Sequence, residues 1–171
     1  MKIGIIGLGI VGGATRDGFQ KLGHNISIHD IALDTHIDDI LETELCFVCV
    51  PTPSKESGEC DTTIVESVVK DLCDKEYRGI ICIKSTVSPG TTEFLKEKYG
   101  NNICFVPEFL RERCATEDFI NNHDVCIIGT SSNEFYSKIK EAHGNLPQKV
   151  IRLTETEAEF CKYFNNSYNA T

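Results

Sequence analysis

The fold of this chain is decided by its opening stretch, Lys2-Ile-Gly-Ile-Ile-Gly-Leu-Gly-Ile-Val-Gly12. Its first five residues form a short, mostly apolar run, as a buried β-strand requires. Gly7, Gly9 and Gly12 then follow in G-x-G-x-x-G spacing. In that pattern, Gly7 permits a tight turn, Gly9 lets a ligand approach the backbone, and Gly12 lets a helix pack closely on the strand. The stretch predicts a strand, a glycine-rich turn and a helix whose N-terminus can bind an anion.

The rest of the chain alternates short apolar runs with longer helical patterns. The predicted strands are residues 2–6, 25–29, 45–50, 79–84, 103–106, 124–128 and 149–153. Most of them are continuously apolar, which is typical of strands covered on both faces. The main predicted helices are residues 62–74, 89–99, 133–143 and 155–171. This order predicts an α/β fold, Rossmann-type and doubly wound, with a mainly parallel sheet and helices on both faces.

Composition restricts the partners of the chain. Its 171 residues carry 17 Lys and Arg against 26 Asp and Glu, a formal net charge of −9. Nucleic acids and anionic membrane surfaces both require concentrated positive charge, so we expect neither as a partner. No apolar stretch reaches the length of a membrane span, and the glycines of the N-terminal segment argue against a signal peptide.

Nine cysteines leave disulfides, a metal site and buried thiols as alternatives. Their number is odd, and the pair at C-x-x-C spacing, Cys46 and Cys49, lies in a predicted strand that points the two side chains to opposite faces. No second pair at ligand spacing accompanies it. We therefore expect core thiols, no metal site and a cytoplasmic location, because reduced cysteines are typical of that compartment.

Asp30 ends the second predicted strand, eighteen residues after Gly12. A carboxylate at this point accepts hydrogen bonds from a ribose diol and repels a 2′-phosphate. With the glycine-rich turn, Asp30 therefore predicts NAD as the cofactor in preference to NADP. The alternative is a glycine turn in an α/β domain that binds no nucleotide.

Polar motifs follow the third and fourth predicted strands. Val50-Pro-Thr-Pro-Ser54 comes after the third strand, and Lys84-Ser-Thr-Val-Ser-Pro-Gly-Thr-Thr92 comes after the fourth. In open α/β sheets, ligands bind at the carboxyl ends of the strands. On the residues alone, the first motif could equally be a proline-rich strand exit, and the second a helix N-cap.

Two further pairs have the spacing of one helix turn. Glu108 and Glu112 would share a face if their segment is helical, and carboxylates in a cleft act as general bases or bind hydroxyls. Lys162 and Asn166 lie in the last predicted helix and together could stabilise an oxyanion. A solvated surface is the alternative for both pairs.

In this order, the blocks GLGIVG, Asp30, VPTPS, KSTVSPGTT, PEFLRE, ATEDF…DVCIIG and AEFCKYFNNSYNAT resemble the nucleotide-sugar dehydrogenases, the UDP-glucose and GDP-mannose 6-dehydrogenases. The resemblance runs through the whole chain. It implies oxidation of a sugar C6 alcohol to a carboxylate with two NAD, through a thiohemiacetal and a thioester on a cysteine. UDP-glucose is the favoured substrate. A stand-alone NAD-binding or regulatory module without catalysis is the alternative.

The resemblance also implies roles for individual residues. Thr86 would position a catalytic water or contact NAD, Glu112 would assist thioester hydrolysis, and Lys162 with Asn166 would stabilise the oxyanion. The substrate-binding residues that it implies are Glu108, Phe109, Leu110, Arg111, Glu112 and Lys162. The cofactor-binding residues are Gly7, Gly9, Ile10, Val11, Gly12, Asp30, Thr52, Pro53, Thr86 and Glu112.

Residues 1–154 are thus expected to form the NAD-binding domain and residues 155–171 the start of a connecting helix, with the C-terminal domains absent. The nucleophilic cysteine of the family lies in a downstream GFGGxCxPKD-like motif, and these 171 residues contain no such string. A basic residue that often follows the acid of the second strand is also missing, since Ile31-Ala-Leu-Asp34 follows Asp30. We expect the chain alone to be inactive and its last helix to support a homodimer.

Overall fold

A computed structural model describes residues 1–169 of the chain. Its strands are β1 (Lys2–Ile6), β2 (Asn25–His29), β3 (Leu45–Val48), β4 (Ile80–Ile83), β5 (Ile103–Phe105), β6 (Val125–Gly129) and β7 (Lys149–Leu153). Its α-helices are α1 (Ile10–Lys21), α2 (Thr63–Asp74), α3 (Thr91–Tyr99), α4 (Ala115–Ile120), α5 (Asn133–His143) and α6 (Glu155–Asn169). The strands form one sheet in the order β2-β1-β3-β4-β5-β6-β7.

The sheet is parallel except at one junction. β5 and β6 pair antiparallel through Phe105 and Gly129, and the other neighbouring strands run parallel. The chain moves from β1 outward to β2 and then returns to place β3 on the other side of β1. This reversal is the switch point beside which open α/β sheets bind ligands. The predicted fold class is confirmed.

Two apolar cores lie on opposite faces of the sheet, because successive strand residues point to opposite sides. In β3, Leu45 and Phe47 enter one core, while Cys46 and Val48 enter the other. Cys49 packs against the core opposite to that of Cys46, as its position in the chain predicts. All nine cysteines are free thiols.

The connection from β2 to β3 crosses β1 without an α-helix. It contains a 3₁₀ turn, Ile37–Ile40, whose last residue is completely buried. Gly4 of β1 makes room for this turn, because a Cβ atom there would lie 2.8 Å from Cγ2 of Ile40. A small residue in β1 therefore permits the short crossover.

Several element boundaries differ from the sequence-based prediction. β3 ends at Val48, two residues early, and α3 begins at Thr91 and not at residue 89. The later start of α3 follows from Gly90, whose φ of 94° is left-handed, so the helical backbone begins only after it. The last two residues of the predicted 155–171 helix, Ala170 and Thr171, lie outside the described residues.

The segment that carries Glu108 and Glu112 is not a helix. Residues 106–111 are irregular, and a 3₁₀ turn, Glu112–Cys114, follows them. The condition under which the two glutamates would share a helix face is therefore not met. Among the described helices, none is both long enough and apolar enough to cross a bilayer.

The packing of α1 can be tested at two of its glycines. A Cβ at Gly18 would lie 2.1 Å from the buried ring of Phe119, whereas a Cβ at Gly13 would meet no atom within 4 Å. We expect Gly18→Ala to lower the free energy of unfolding by about 2 kcal/mol through overpacking. Gly13→Ala, the matched control, should raise it by roughly 0.5–1 kcal/mol through helix propensity. Urea unfolding of both variants measures this, and equal effects would contradict the packing of α1 on α4.

Candidate functional site

A cavity of about 1340 Å³ opens at the carboxyl ends of the central strands. It brings together predicted residues from six separate parts of the chain. Those that line it are Gly7, Gly9, Ile10, Val11, Asp30, Thr52, Thr86, Glu108, Leu110, Arg111, Glu112, Lys162 and Asn166. The cavity follows the edge of the sheet at the switch point between β1 and β3.

The glycine-rich turn forms one wall of this cavity. Gly7 has a φ of 88°, and a Cβ there would lie 2.6 Å from the carbonyl oxygen of Cys49. A Cβ at Gly12 would lie 1.8 Å from the carbonyl oxygen of Gly7, so α1 packs directly on the turn. Gly9, in contrast, faces open space within the described part of the chain. The backbone is therefore bare at the point where a ligand would approach it.

The N-terminus of α1 is available to an anion. Gly9 is the N-cap of α1, and no described side chain accepts a hydrogen bond there. The first N–H groups of a helix have no partner within the helix and carry its positive dipole end. A pyrophosphate between Gly9 and Val11 would accept these hydrogen bonds.

Asp30 lies beside the same turn. Its Oδ2 accepts a hydrogen bond of 2.6 Å from the backbone N–H of Leu8, and its Oδ1 accepts one of 2.8 Å from Ala32. These two backbone hydrogen bonds lower the pKa of Asp30 below its usual value. The carboxylate is ionised at neutral pH, and its remaining lone pairs can accept hydrogen bonds from a ribose diol. The turn, the helix end and Asp30 together fit NAD.

Apolar side chains that the sequence analysis missed line the cavity near Asp30. Ile31 is 97% exposed and Ile64, on α2, is 42% exposed, although both are large and apolar. Val68, one turn further along α2, lines the cavity with them. An aliphatic surface of this kind suits the flat face of a nucleobase. Ile31 could have been found from the sequence, because it is an apolar residue directly after Asp30, the acid that ends the second strand.

A buried ion pair forms the opposite end of the cavity. Nζ of Lys162, on α6, donates to the carbonyl oxygen of Glu108 at 2.6 Å and to its Oε1 at 2.7 Å. The side chains of Lys162 and Glu108 are 5% and 11% exposed. Glu108 also accepts a hydrogen bond from the N–H of Leu110 at 2.6 Å, so its carboxylate has a fixed orientation.

Asn166 and Thr86 lie beside this ion pair. Nδ2 of Asn166 donates to Oγ1 of Thr86 at 3.4 Å, and both residues line the cavity. Asn166 stands one helix turn beyond Lys162 on α6. The structure thus brings an ammonium group, an amide, a hydroxyl and a carboxylate to one end of the cavity, from segments far apart in the chain.

The position of α6 is fixed by a buried carboxylate. Glu159, which is completely buried, accepts hydrogen bonds from the N–H of Gly90 at 2.6 Å and from the N–H of Thr92 at 2.7 Å. Burial raises the pKa of Glu159, although these hydrogen bonds oppose the rise. Glu155 adds an ion pair of 2.5 Å with Lys96 of α3. These contacts hold α6 against α3 and the loop after β4, which carries Thr86.

Arg111 lines the cavity but already has a strong partner. Its Nε and Nη2 donate to the two carboxylate oxygens of Asp118 at 2.9 and 2.7 Å. Its backbone N–H donates to Oδ2 of Asp118 as well. The guanidinium group holds the pKa of Asp118 well below its usual range. A substrate that binds Arg111 would therefore use the remaining N–H donors.

Three predicted site residues do not line the cavity. Gly12 lies beneath the glycine-rich turn, where it provides the close packing of α1. The carbonyl of Pro53 accepts a hydrogen bond from the N–H of Asp61. Phe109 packs against a core and lies under the ammonium group of Lys162, with 5.7 Å between Nζ and the ring centroid.

Known proteins resemble the chain over its whole length. Residues 31–146 match the model of the UDP-glucose/GDP-mannose dehydrogenase family, NAD binding domain. The chain belongs to this family. The family resemblance inferred from the motifs is therefore confirmed, and so is NAD as the cofactor of the domain. The matched residues begin directly after Asp30, so the glycine-rich turn is supported by its geometry and not by this match.

Individual relatives agree with this assignment. UDP-glucose 6-dehydrogenase of Rickettsia bellii is 32% identical over 214 residues, which cover 100% of this chain and 49% of the relative. The solved GDP-mannose dehydrogenase of Pseudomonas aeruginosa has a TM-score of 0.84 and 25% identity, covering 99% of this chain and 50% of its own. A UDP-glucose dehydrogenase structure from Pyrobaculum islandicum has a TM-score of 0.87 at 24% identity and covers the same shares. The chain spans about half the length of these relatives.

The ion pair between Lys162 and Glu108 can be tested by a double-mutant cycle. Lys162→Met leaves a buried carboxylate without its cation, and we expect a loss of about 3 kcal/mol in the free energy of unfolding. Glu108→Gln in the same chain should recover part of that loss, because the uncompensated charge is gone. Urea unfolding of the two single variants and the double variant gives the coupling. Additive effects would show that the two side chains do not interact.

Proposed function

We propose that the chain is the cofactor-binding part of a nucleotide-sugar 6-dehydrogenase that oxidises UDP-glucose to UDP-glucuronate. One observation carries the proposal: a single cavity connects the glycine-rich turn and Asp30 to the cluster of Thr86, Glu108 and Lys162. One end suits a dinucleotide, and the other suits an alcohol that loses a proton and a hydride. The names of the relatives support the substrate class, and UDP-glucose is our choice within it.

Separate residues of the chain would bind the cofactor and assist the reaction. Asp30 would accept hydrogen bonds from the ribose, and the N-terminus of α1 with Thr52 would bind the phosphates and neighbouring groups. NAD, when bound, supplies the acceptor for the hydride from the sugar C6 carbon. Glu112 would lie beside the cofactor and assist hydrolysis of the thioester, as the family resemblance implies.

Lys162 is suited to stabilising negative charge on a sugar oxygen. Its ammonium group has three N–H donors, and Glu108 accepts two of them. The third donor and the amide of Asn166 would bind the oxygen as charge develops on it. Thr86, which accepts from Asn166, would orient that amide or a water molecule. Glu108 to Glu112 would form the near wall of the sugar site.

We propose further that the 171-residue chain has no turnover by itself, because it contains no GFGGxCxPKD-like motif to supply the nucleophile. Its nine unpaired thiols favour a reducing compartment, and we propose the cytoplasm. NADH formation should be assayed with UDP-glucose, GDP-mannose and UDP-N-acetylmannosamine. Turnover of any of them by this chain would contradict its proposed inactivity.

The preference for NAD can be tested at Asp30. We expect NAD to bind at least about tenfold more tightly than NADP, because the ionised carboxylate repels the 2′-phosphate. Asp30→Asn removes that repulsion and should bring the two affinities within about threefold of each other. Asp34→Asn, with the same change in charge outside the cavity wall, is the matched control. Calorimetric titration measures both cofactors, and a wild-type preference for NADP would refute the role of Asp30.

A homodimer through α6 is the partner that we propose besides the substrate. Phe160, Phe164 and Tyr168 recur every four residues on α6, and their rings stack with centroids 6.2 and 6.4 Å apart. Phe160 and Phe164 are 60% and 61% exposed. An apolar row of this kind suits burial against a second copy. The family resemblance implies the same interface.

The dimer can be tested by analytical ultracentrifugation. Phe164→Asp places a charge in the middle of the aromatic row and should convert a dimer into a monomer at micromolar concentration. Leu33→Asp, which changes an exposed apolar residue outside α6, should leave the dimer intact. A wild-type chain that sediments as a monomer up to about 100 μM would refute the interface, since a stable dimer of this kind has a lower Kd.

A further inference from the structure

Lys84 is a buried cation that the proposed chemistry does not use. It follows β4 directly, is 3% exposed and lines the cavity. Its Nζ donates a hydrogen bond of 3.3 Å to the carbonyl oxygen of Val106. Within the described chain, no carboxylate forms an ion pair with it. A buried charge without a counter-ion is costly, so its presence at a ligand cavity calls for an explanation.

The ionisable side chains around Lys84 supply no negative charge to it. The rings of Phe47 and Phe119 each lie 5.7 Å from Nζ, where they attract the ammonium group as cation–π partners but contribute no negative charge. Burial, and then the positive charge of Lys84, lowers the pKa of His143 to about 3 and that of His123 to about 4, so both are neutral. Burial raises the pKa of the Cys49 thiol to about 12, so it carries no negative charge. Glu108 also acts on the Cys49 thiol, but its carboxylate is already paired with Lys162. Lys84 therefore carries a positive charge at the cavity that no ion pair in the described chain cancels.

The order of the strands indicates which part of NAD would meet this field. Asp30 marks the adenosine ribose at the end of β2, and the glycine-rich turn marks the pyrophosphate at the end of β1. The other half of a dinucleotide must then extend over the ends of β3, β4 and β5. Cys49, Lys84 and Val106 lie there. The nicotinamide ring is the group that this part of the cavity would hold.

We propose that Lys84 is a further residue of the cofactor site, which favours reduced over oxidised nicotinamide through its charge. The inference rests on the proposed function. In the oxidation, the sugar carbon loses a hydride to the ring, and the hydroxyl oxygen loses a proton. The ring thereby changes from a cation to a neutral group. Lys84 repels the oxidised, cationic ring but not the reduced, neutral ring. It therefore makes hydride transfer from the sugar to NAD more favourable.

The size of the effect follows from the Coulomb law. Two unit charges about 8–10 Å apart in a medium of effective dielectric constant near 20 repel each other enough to change a binding ratio by at least about tenfold. We expect the wild-type chain to bind NADH at least about tenfold more tightly than NAD. Lys84→Met should reduce this ratio by about tenfold, mainly because NAD binds more tightly once the cation is removed.

The test is a titration of the 171-residue chain with NADH, followed by fluorescence, and with NAD, by competition. Lys70→Met, which removes an exposed lysine of α2, is the matched control and should leave the ratio unchanged. Lys84→Gln provides a second neutral side chain that can still donate to Val106. A role confined to packing would not move the ratio of the two affinities.

The outcomes separate this inference from the proposed function. If neither NAD nor NADH binds the wild-type chain at millimolar concentration, the proposed cofactor site is wrong. If both bind and the ratio stays within twofold in Lys84→Met and Lys84→Gln, the inference is overturned while the cofactor site stands. If neither variant folds, Lys84 serves the core, and the inference is overturned as well.

Discussion

The contact between α1 and the turn that precedes it is the constraint on which the cavity depends. A Cβ at Gly12 would lie 1.8 Å from the carbonyl oxygen of Gly7, so only glycine allows the helix to approach this closely. That approach aims the N-terminus of α1 along the carboxyl edge of the sheet. Asp30 then connects β2 to the same turn through the N–H of Leu8. Turn, helix end and carboxylate thus form one rigid unit.

The opposite wall depends on burying charge in matched pairs. Lys162 and Glu108 compensate each other inside the cavity, and Glu155 and Lys96 do so at the start of α6. Glu159 pairs with no cation in the described part of the chain, but backbone and hydroxyl donors of Gly90 and Thr92 satisfy its oxygens. Such contacts give less net stability than apolar packing of the same volume. These contacts instead fix the orientation of α6 relative to the loop that carries Thr86.

The features that were readable from the sequence are those determined by local residues. The apolar strands and the glycine-rich turn are each defined by residues close together in the chain. Asp30 was found because it ends a strand at the expected separation from Gly12. The ion pair of Glu108 and Lys162 joins residues 54 positions apart, and no local pattern specifies it. Ile64 was missed for the same reason, because α2 brings it to the cavity only when the fold is complete. Lys84 stands in a motif that was placed at the ligand edge of the sheet, but nothing local distinguished its ammonium group from the hydroxyls beside it.

The segment that carries Glu108 and Glu112 is irregular and not α-helical for an identifiable reason. The N–H of Leu110 donates to the side chain of Glu108, and the N–H of Arg111 donates to Asp118, so side chains take donors that a helix would need. Pro107 in addition disfavours helical backbone at Val106. Spacing alone could not reveal these partners. The irregular segment still brings Glu108 to the cavity, because Lys162 binds its carbonyl and its carboxylate together.

Lys84 and Lys162 show how one residue type can have two roles in a single cavity. Both are buried and both line it, but only Lys162 has a carboxylate partner in the described chain. Pairing cancels most of the field of Lys162 at a distance and leaves a donor with a fixed direction, which suits a developing oxyanion. Lys84 keeps its field and has a single carbonyl as acceptor. In our proposal, Lys84 therefore responds to the charge of the nicotinamide ring and does not orient the ring.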